Sequence, residues 1–342
     1  MLEDLLISPA PPVSARNSPT LDVLVIGAGP VGLACALEAQ RQGLRTAVID
    51  KGALVNSIVG YPTNMEFFST PELLEIGGYP FPTSGYKPLR EDALDYYHRV
   101  AVAEKLDLRL YERVVRLEGE AGDFTIETEK GEIHTRAVVI ATGFFDVPNR
   151  LPVPGADLAH VSYYYKEPYP HVGREVVVIG AKNSAAKAAL QLTRAGARVT
   201  LLVRGPEVSE SVKYWIRPDL LNRIAEGRIK AHFSTQIVGI RPNAVDIRTP
   251  DGPLSVRADF VYALTGYRPD YPLLAALDVP IADDEARTPL HDPATHESAR
   301  PGVYLAGTVC GGLHTSRWFI ENGRHHAQLI AARLREVVSS GS

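Results

Sequence analysis

Two stretches of this chain follow one plan, and that repeat limits the folds open to it more than any other feature. The stretch LDVLVIGAGPVGLACALEAQRQGLRTAVID, residues 21–50, returns in outline as REVVVIGAKNSAAKAALQLTRAGARVTLLVR, residues 174–204. Each copy reads as strand, glycine turn, helix, glycine stop, strand. In the first, residues 23–26 form a continuous apolar run, the pattern of a strand buried on both faces of a parallel sheet. A helix follows to about Gln42 and stops at Gly43, where a glycine takes the left-handed cap conformation, and residues 45–49 return as the next parallel strand. In the second copy, residues 176–179, a helix to about Arg194, Gly196 and residues 199–203 repeat the sequence of events. A β-α-β unit used twice predicts an α/β protein with two parallel sheets or two halves of one.

The sequence between the copies chooses two sheets. Residues 106–143 alternate in short strands with turn signals at 119–123 and at Lys130-Gly131, which predicts a β-meander and then a buried strand over 137–142 ending on Gly143. A second chain of strands, from about Lys230 to Leu264, ends on Thr265-Gly266. Proline-rich segments at 147–155 and 267–272 mark crossings between domains. The expected division is a first domain of residues 21–150 and 267–342 with a second, 151–266, inserted into it. Residues 1–20, Pro/Ser-rich and lacking the basic and apolar regions of a secretory signal, read as a flexible tail.

Composition narrows the partners. The chain has 342 residues, 45% hydrophobic and 22% charged, with a formal charge of −4. Such a chain folds into ordinary globular cores and has no global basic field for nucleic acid or an anionic membrane. No apolar run is long enough to span a bilayer, and a cytoplasmic location is expected. The two cysteines, Cys35 and Cys310, exclude a disulfide framework, a thiolate-rich zinc site and any C-x-x-C pair.

The two glycine turns carry the chemistry. Gly27-Ala28-Gly29-Pro30-Val31-Gly32 is a G-x-G-x-x-G set between strand and helix, where free N–H groups and the positive end of the helix dipole favour a pyrophosphate and the glycines let it approach. Asp50, at the end of the next strand, is placed to accept both hydroxyls of an adenosine ribose. The second turn, Gly180-Ala181-Lys182-Asn183-Ser184-Ala185, replaces two glycines but adds a lysine and a serine suited to phosphate. Arg204 matches the position of Asp50 on this reading. A guanidinium there pairs with a 2′-phosphate that a carboxylate would repel, so NADPH is expected over NADH. Near the C-terminus, residues 302–307 predict a strand ending in glycine, and a long helix is expected from about Thr315, its N-terminus toward a bound cofactor. His325 and His326 read as packing or surface residues, and no metal site is expected.

With Gly27 to Gly32, Ala141-Thr142-Gly143, the second β-α-β unit and the strand at 302–307 in this order, the chain resembles the low-molecular-weight thioredoxin reductase-like flavoproteins. Within them it is most similar to the bacillithiol disulfide reductase family, through KGALVNSIVGYPTNMEFFST at 51–70, IGAKNSAAKAAL at 179–190 and FIENGRHH at 319–326. The resemblance runs from about Leu21 to the last helix. It implies two Rossmann-like dinucleotide-binding domains, with FAD held by Gly27, Gly29, Pro30, Val31, Asp50, Lys51, Asn56, Ala141, Thr142, Gly143, Gly307 and Thr308. It implies NADPH at Gly180, Lys182, Asn183, Ser184, Ala185, Arg204 and Gly266. Two positions depart from the family pattern: Val31 stands where many relatives have cysteine, and Thr308 where an acid is common.

Thioredoxin reductases of this class also carry a C-x-x-C in the NADPH domain, and this chain cannot use that relay. Cys35 reads as a packing residue of the first helix, and Cys310, beside the glycine pair 311–312, as the better candidate for contact with substrate. The function implied is transfer of hydride from NADPH to FAD and then of electrons to a low-molecular-weight disulfide such as bacillithiol disulfide, in a protein expected to be a homo-oligomer. A ferredoxin- or flavodoxin-NADP reductase acting on a small redox protein is the first alternative. A flavin monooxygenase, with His160 in the histidine place of its motif, is the next, and a non-catalytic redox sensor the last.

Overall fold

The computed structural model describes residues 20–340, so the tail expected over 1–20 lies, but for Thr20, outside the described residues. The chain forms two compact units. The first takes described residues through Val59, Asn64–Val147 and Tyr267 onward, and the second takes Gly60–Thr63 and Pro148–Gly266.

In chain order the elements used below are β1 (Leu21–Ile26), α1 (Pro30–Arg41), β2 (Thr46–Ile49), β3 (Asp107–Arg109), β4 (Val114–Glu120), β5 (Asp123–Thr128) and β6 (Gly131–Ile140). The second unit adds β7 (Val161–Ser162), β8 (Glu175–Ile179), α2 (Asn183–Arg194), β9 (Arg198–Leu202), β10 (Ile229–His232), β11 (Gln236–Arg241), β12 (Ala244–Thr249), β13 (Gly252–Arg257) and β14 (Phe260–Ala263). The chain returns to the first unit with β15 (Val303–Leu305), α3 (Ile320–Gly323) and α4 (His326–Ser340).

The echo in sequence is an echo in topology. In the first unit β3, β2, β1, β6 and β15 lie side by side and all parallel. In the second, β10, β9, β8, β14 and β7 do the same. The apolar run of β1 is buried on both sides: Leu24 and Ile26 join the core cluster with Val138, Ile140 and Leu305, while the alternate residues Val23 and Val25 are equally buried. In the second unit Val176, Val178 and Leu201 pack under the small residues Ala185, Ala188 and Ala189 of α2. The opposite face, Val177, Ile179 and Leu202, packs on Ile240, Val245 and Ile247 of the antiparallel sheet β11-β12-β13. The sheet in each unit therefore presents the C-terminal ends of its strands as the place where ligands of such folds bind.

Three local expectations change. The last strand of the meander and the buried strand expected over 137–142 are one long strand: β6 pairs antiparallel with β5 through its first half and parallel with β1 and β15 through its second. β3, expected in the meander, is a parallel strand beside β2. The helix expected from Thr315 begins at Ile320 and breaks after Gly323 before α4 resumes. Asn322 Oδ1 accepts from the Phe319 N–H at 2.7 Å, a cap that sets the helix start at Ile320.

Candidate functional site: two nucleotide turns

In the first unit the turn after β1 is shaped by its glycines. Gly27 has φ +114°, and a Cβ there would stand 2.5 Å from the Ala141 carbonyl oxygen. A Cβ on Gly32 would run into the Gly27 carbonyl. Gly29 is different in kind: no atom lies within 4 Å of where its Cβ would be. It caps α1 without any side-chain hydrogen bond, so the first-turn N–H groups face open space that a phosphate can fill. Asp50 holds the turn from the side, its Oδ2 accepting from the Ala28 N–H and its Oδ1 from the Gly52 N–H, both at 2.8 Å. Burial raises its carboxyl above the usual range, against the lowering pull of those two amides.

Pairing of β6 with β15 brings the other expected residues to the same end of the sheet. A Cβ on Gly143, at φ +68°, would lie 3.4 Å from the Thr308 hydroxyl, and one on Gly307 would lie 3.2 Å from Val31. A cleft of ≈ 330 Å³ is lined by Gly27, Asp50, Lys51, Thr142 and Gly143. It is lined as well by Glu112, Arg268 and Asp270, which the sequence reading did not single out. The one signal for the last two was the polar-proline run after Tyr267, where Asp270 caps a short helix by accepting from the Leu273 N–H at 3.2 Å. Two expected ligands are already engaged. Lys51 pairs with Asp146 at 3.0 Å, and Asn56 Oδ1 accepts from the Ala53 N–H at 3.3 Å.

In the second unit Gly180 has φ +144° and a Cβ would meet the Leu264 carbonyl oxygen at 2.6 Å, so the turn lies tight against the end of β14. Lys182 caps α2, again with no side-chain cap, and it and Ser184 are exposed, while Ala185 is buried beneath. Asn183 is used differently from the expectation. Its Nδ2 donates to the Ser211 carbonyl and its Oδ1 accepts from the Lys213 N–H, which fastens the loop after β9 to the turn. Gly266, at φ +91°, accepts through its carbonyl from the Asn149 N–H at 2.9 Å.

The match of Arg204 to Asp50 is corrected by register. Asp50 donates its N–H to Arg109 and accepts from Glu112; Val203 donates to His232 and accepts from Thr235 in the same way. Val203, fully buried, is therefore the counterpart of Asp50, and Arg204 stands one residue beyond it with its side chain exposed.

The expectation for Cys310 is also corrected, while Cys35 packs in the first helix as expected. Cys310 is fully buried within the core cluster of the first unit and Cys35 is buried in α1, so neither meets a substrate at a surface. Burial pushes the Cys310 thiol up to about 12 and raises that of Cys35 as well. Thiols held in this way are poor nucleophiles.

Residues 24–307 match the family model for pyridine nucleotide-disulphide oxidoreductases. The chain is 41% identical over 313 residues to the bacilliredoxin reductase Bdr of Bacillus subtilis, covering 91% of this chain and 96% of that protein. The solved bacillithiol disulfide reductase Bdr of Bacillus cereus superposes with a TM-score of 0.90 at 38% identity, over 93% of this chain and all of that one. Bdr from Staphylococcus aureus gives the same TM-score at 36% identity, over 95% of this chain and all of that one. Two glycine turns at the ends of two parallel sheets, in a chain matched along nearly its whole length, place it among the pyridine nucleotide-disulphide oxidoreductases, and within them it belongs to the bacillithiol disulfide reductase family.

Proposed function

We propose that the chain reduces a low-molecular-weight disulfide of the bacillithiol type at the expense of NADPH. It is an FAD-dependent NADPH oxidoreductase, and the observations that carry the reading are the open space at Gly29, at the start of α1, and the cleft lined by Gly27, Asp50, Thr142 and Gly143. Those residues fit a nucleotide pyrophosphate: the helix start has no side-chain cap, Gly27 and Gly143 take positive φ where the strands crowd, and the Asp50 carboxylate is engaged by two backbone amides. Bound there, FAD supplies two-electron chemistry between a nicotinamide and a disulfide. The second turn, with Lys182 and Ser184 exposed and Arg204 just beyond the strand, offers cationic and hydroxyl donors for NADPH and its 2′-phosphate.

Neither buried thiol is placed to form a mixed disulfide, so the chain's own part is to bind, orient and exclude water. Among the described residues no helix is long and apolar enough to cross a membrane. A homo-oligomer in the cytoplasm completes the reading, and light scattering of the holoprotein reads the first half of that directly.

The test is anaerobic incubation of the yellow protein with NADPH and bacillithiol disulfide. Thiol release well above the enzyme-free blank is expected; a flavin-loaded protein that oxidises NADPH with ferredoxin and cytochrome but releases no thiol would replace this acceptor by a redox protein.

A further inference from the structure

The loop after β9, residues 204–216, is tied to the second nucleotide turn at two points. The Ser209 N–H donates to the Ala181 carbonyl at 3.2 Å, and the Lys213 N–H donates to Asn183 Oδ1 at 2.9 Å. Underneath, Val208, Val212 and Ile216 are buried in the core of the unit with Val178 and Ala185. A loop pinned to the turn and packed from below holds its outward side chains in fixed places, which is how ligand-binding loops are built.

Two of those outward side chains are aromatic. Tyr214 is 82% exposed and Trp215 44%. Their rings meet edge to face, 4.8 Å between centroids, and the Lys213 ammonium lies 5.8 Å from the centroid of the indole, a cation–π contact that steadies it. Neighbouring rings left in water forgo the stabilisation that burial would give. Held rigidly, they form a flat surface on which another ring can lie.

The place of this surface is what gives it meaning. Trp215 is two residues, at most about 7 Å of chain, from the amide that Asn183 holds, and Asn183 is the first residue of α2. Arg204 opens the same loop. The helix start fits a pyrophosphate and the arginine a 2′-phosphate. In NADPH one ribose carries both of those groups and the adenine as well, so the base comes to rest within a ribose's length of each.

We propose that Trp215 is the platform on which the adenine of NADPH stacks, with Tyr214 bracing the indole from its edge. This rests on NADPH binding at the second turn. Stacking recognises the face of a base and not its exocyclic groups, so Trp215 supplies affinity while the preference for NADPH over NADH stays with the cations. The adenine is remote from the reacting nicotinamide, and its binding is the same before and during hydride transfer. Loss of the platform therefore raises KM and leaves kcat.

The probe is adenosine 2′,5′-bisphosphate, which carries the adenine, the ribose and the 2′-phosphate without the nicotinamide. It is titrated into the flavin-loaded protein by calorimetry and by tryptophan fluorescence. Trp318, the only other tryptophan of the chain, lies in the first unit, and its signal is what remains in Trp215→Phe. The wild type should show saturable quenching that Trp215→Phe lacks. Trp215→Ala should raise Kd about tenfold, and Trp215→Phe, which keeps a ring, should return it to within about threefold of the wild type. The melting temperatures of the three ligand-free proteins should agree, because the position is exposed. An unchanged Kd in Trp215→Ala with no quenching in the wild type, where Lys182→Ala and Arg204→Ala do weaken binding, would overturn the stack and leave the nucleotide at the turn. Should Lys182→Ala and Arg204→Ala bind as tightly as the wild type, the placement of NADPH at the second turn fails and the stack fails with it.

Discussion

The N–H of Gly307 donates to Nδ1 of His326 at 3.1 Å, so the last helix holds the backbone at the very place where β15 ends against the cofactor turn. Both residues are buried, and Gly307 also packs within reach of Val31 and Gly323. His326→Ala leaves a buried donor unpaired, a loss of about 1–3 kcal/mol. His326→Asn, whose amide oxygen can occupy the place of Nδ1, should recover most of it. Urea midpoints of the two variants check this, and flavin content per chain should follow the same order. Equal midpoints would mean that the contact does not hold the turn.

Gly29 separates cofactor binding from folding. Gly27 cannot take a side chain without strain, because of its φ and the Ala141 carbonyl; Gly29 has ordinary φ and empty space around its missing Cβ. Gly29→Val should therefore leave the melting of flavin-free protein within about 0.5 kcal/mol of the wild type. It should weaken flavin binding tenfold or more in Kd, about 1.4 kcal/mol. Undiminished flavin binding would show that the pyrophosphate does not lie there.

Most of this architecture was legible because it is periodic or punctuated. Apolar runs bounded by Gly27 and Gly43, and by Gly180 and Gly196, announce buried parallel strands and a helix between them wherever they occur. What escaped depends on partners distant in sequence. Val203 and Arg204 can be told apart only by the ladder to His232 and Thr235, since a shift of one residue turns a side chain to the other face. Cys310, beside two glycines, reads as a candidate for contact with substrate, but it lies within the core cluster with Val303 and Leu305 of β15 and Val138 and Ile140 of β6. Lys51 and Asn56 are engaged by Asp146 and Ala53, which no local pattern foretells.

Arg204 tests the choice of nucleotide. It is exposed, it follows a buried Val203, and no acid takes the place that Asp50 fills in the first unit. A charge-assisted pair with a 2′-phosphate is worth about 1.5–3 kcal/mol. Arg204→Ala should then raise KM for NADPH by about 10–100-fold and change that for NADH little. The ratio of kcat/KM for the two nucleotides is the measurement; an unchanged ratio assigns the 2′-phosphate to another cation.

His171 supplies a pH dependence in the second unit that is independent of either cofactor. It is buried, packs on Phe260 and Tyr262, and its Nε2 lies 2.7 Å from the Tyr262 hydroxyl. Burial, and then the nearby Arg174 charge, lower its pKa from the ordinary 6.5. The unfolded chain therefore binds a proton at a pH where the folded one does not, and the stability that goes with the neutral ring is fully present only above about 6.5. It is lost progressively as the pH falls from there toward the depressed folded value. His171→Gln keeps hydrogen-bonding capacity toward Tyr262 and removes the titration. Its urea midpoint should be lower than the wild type's at pH 7.5 yet fall less steeply between pH 7 and 5, and parallel slopes for the two proteins would show that His171 is protonated alike in both states.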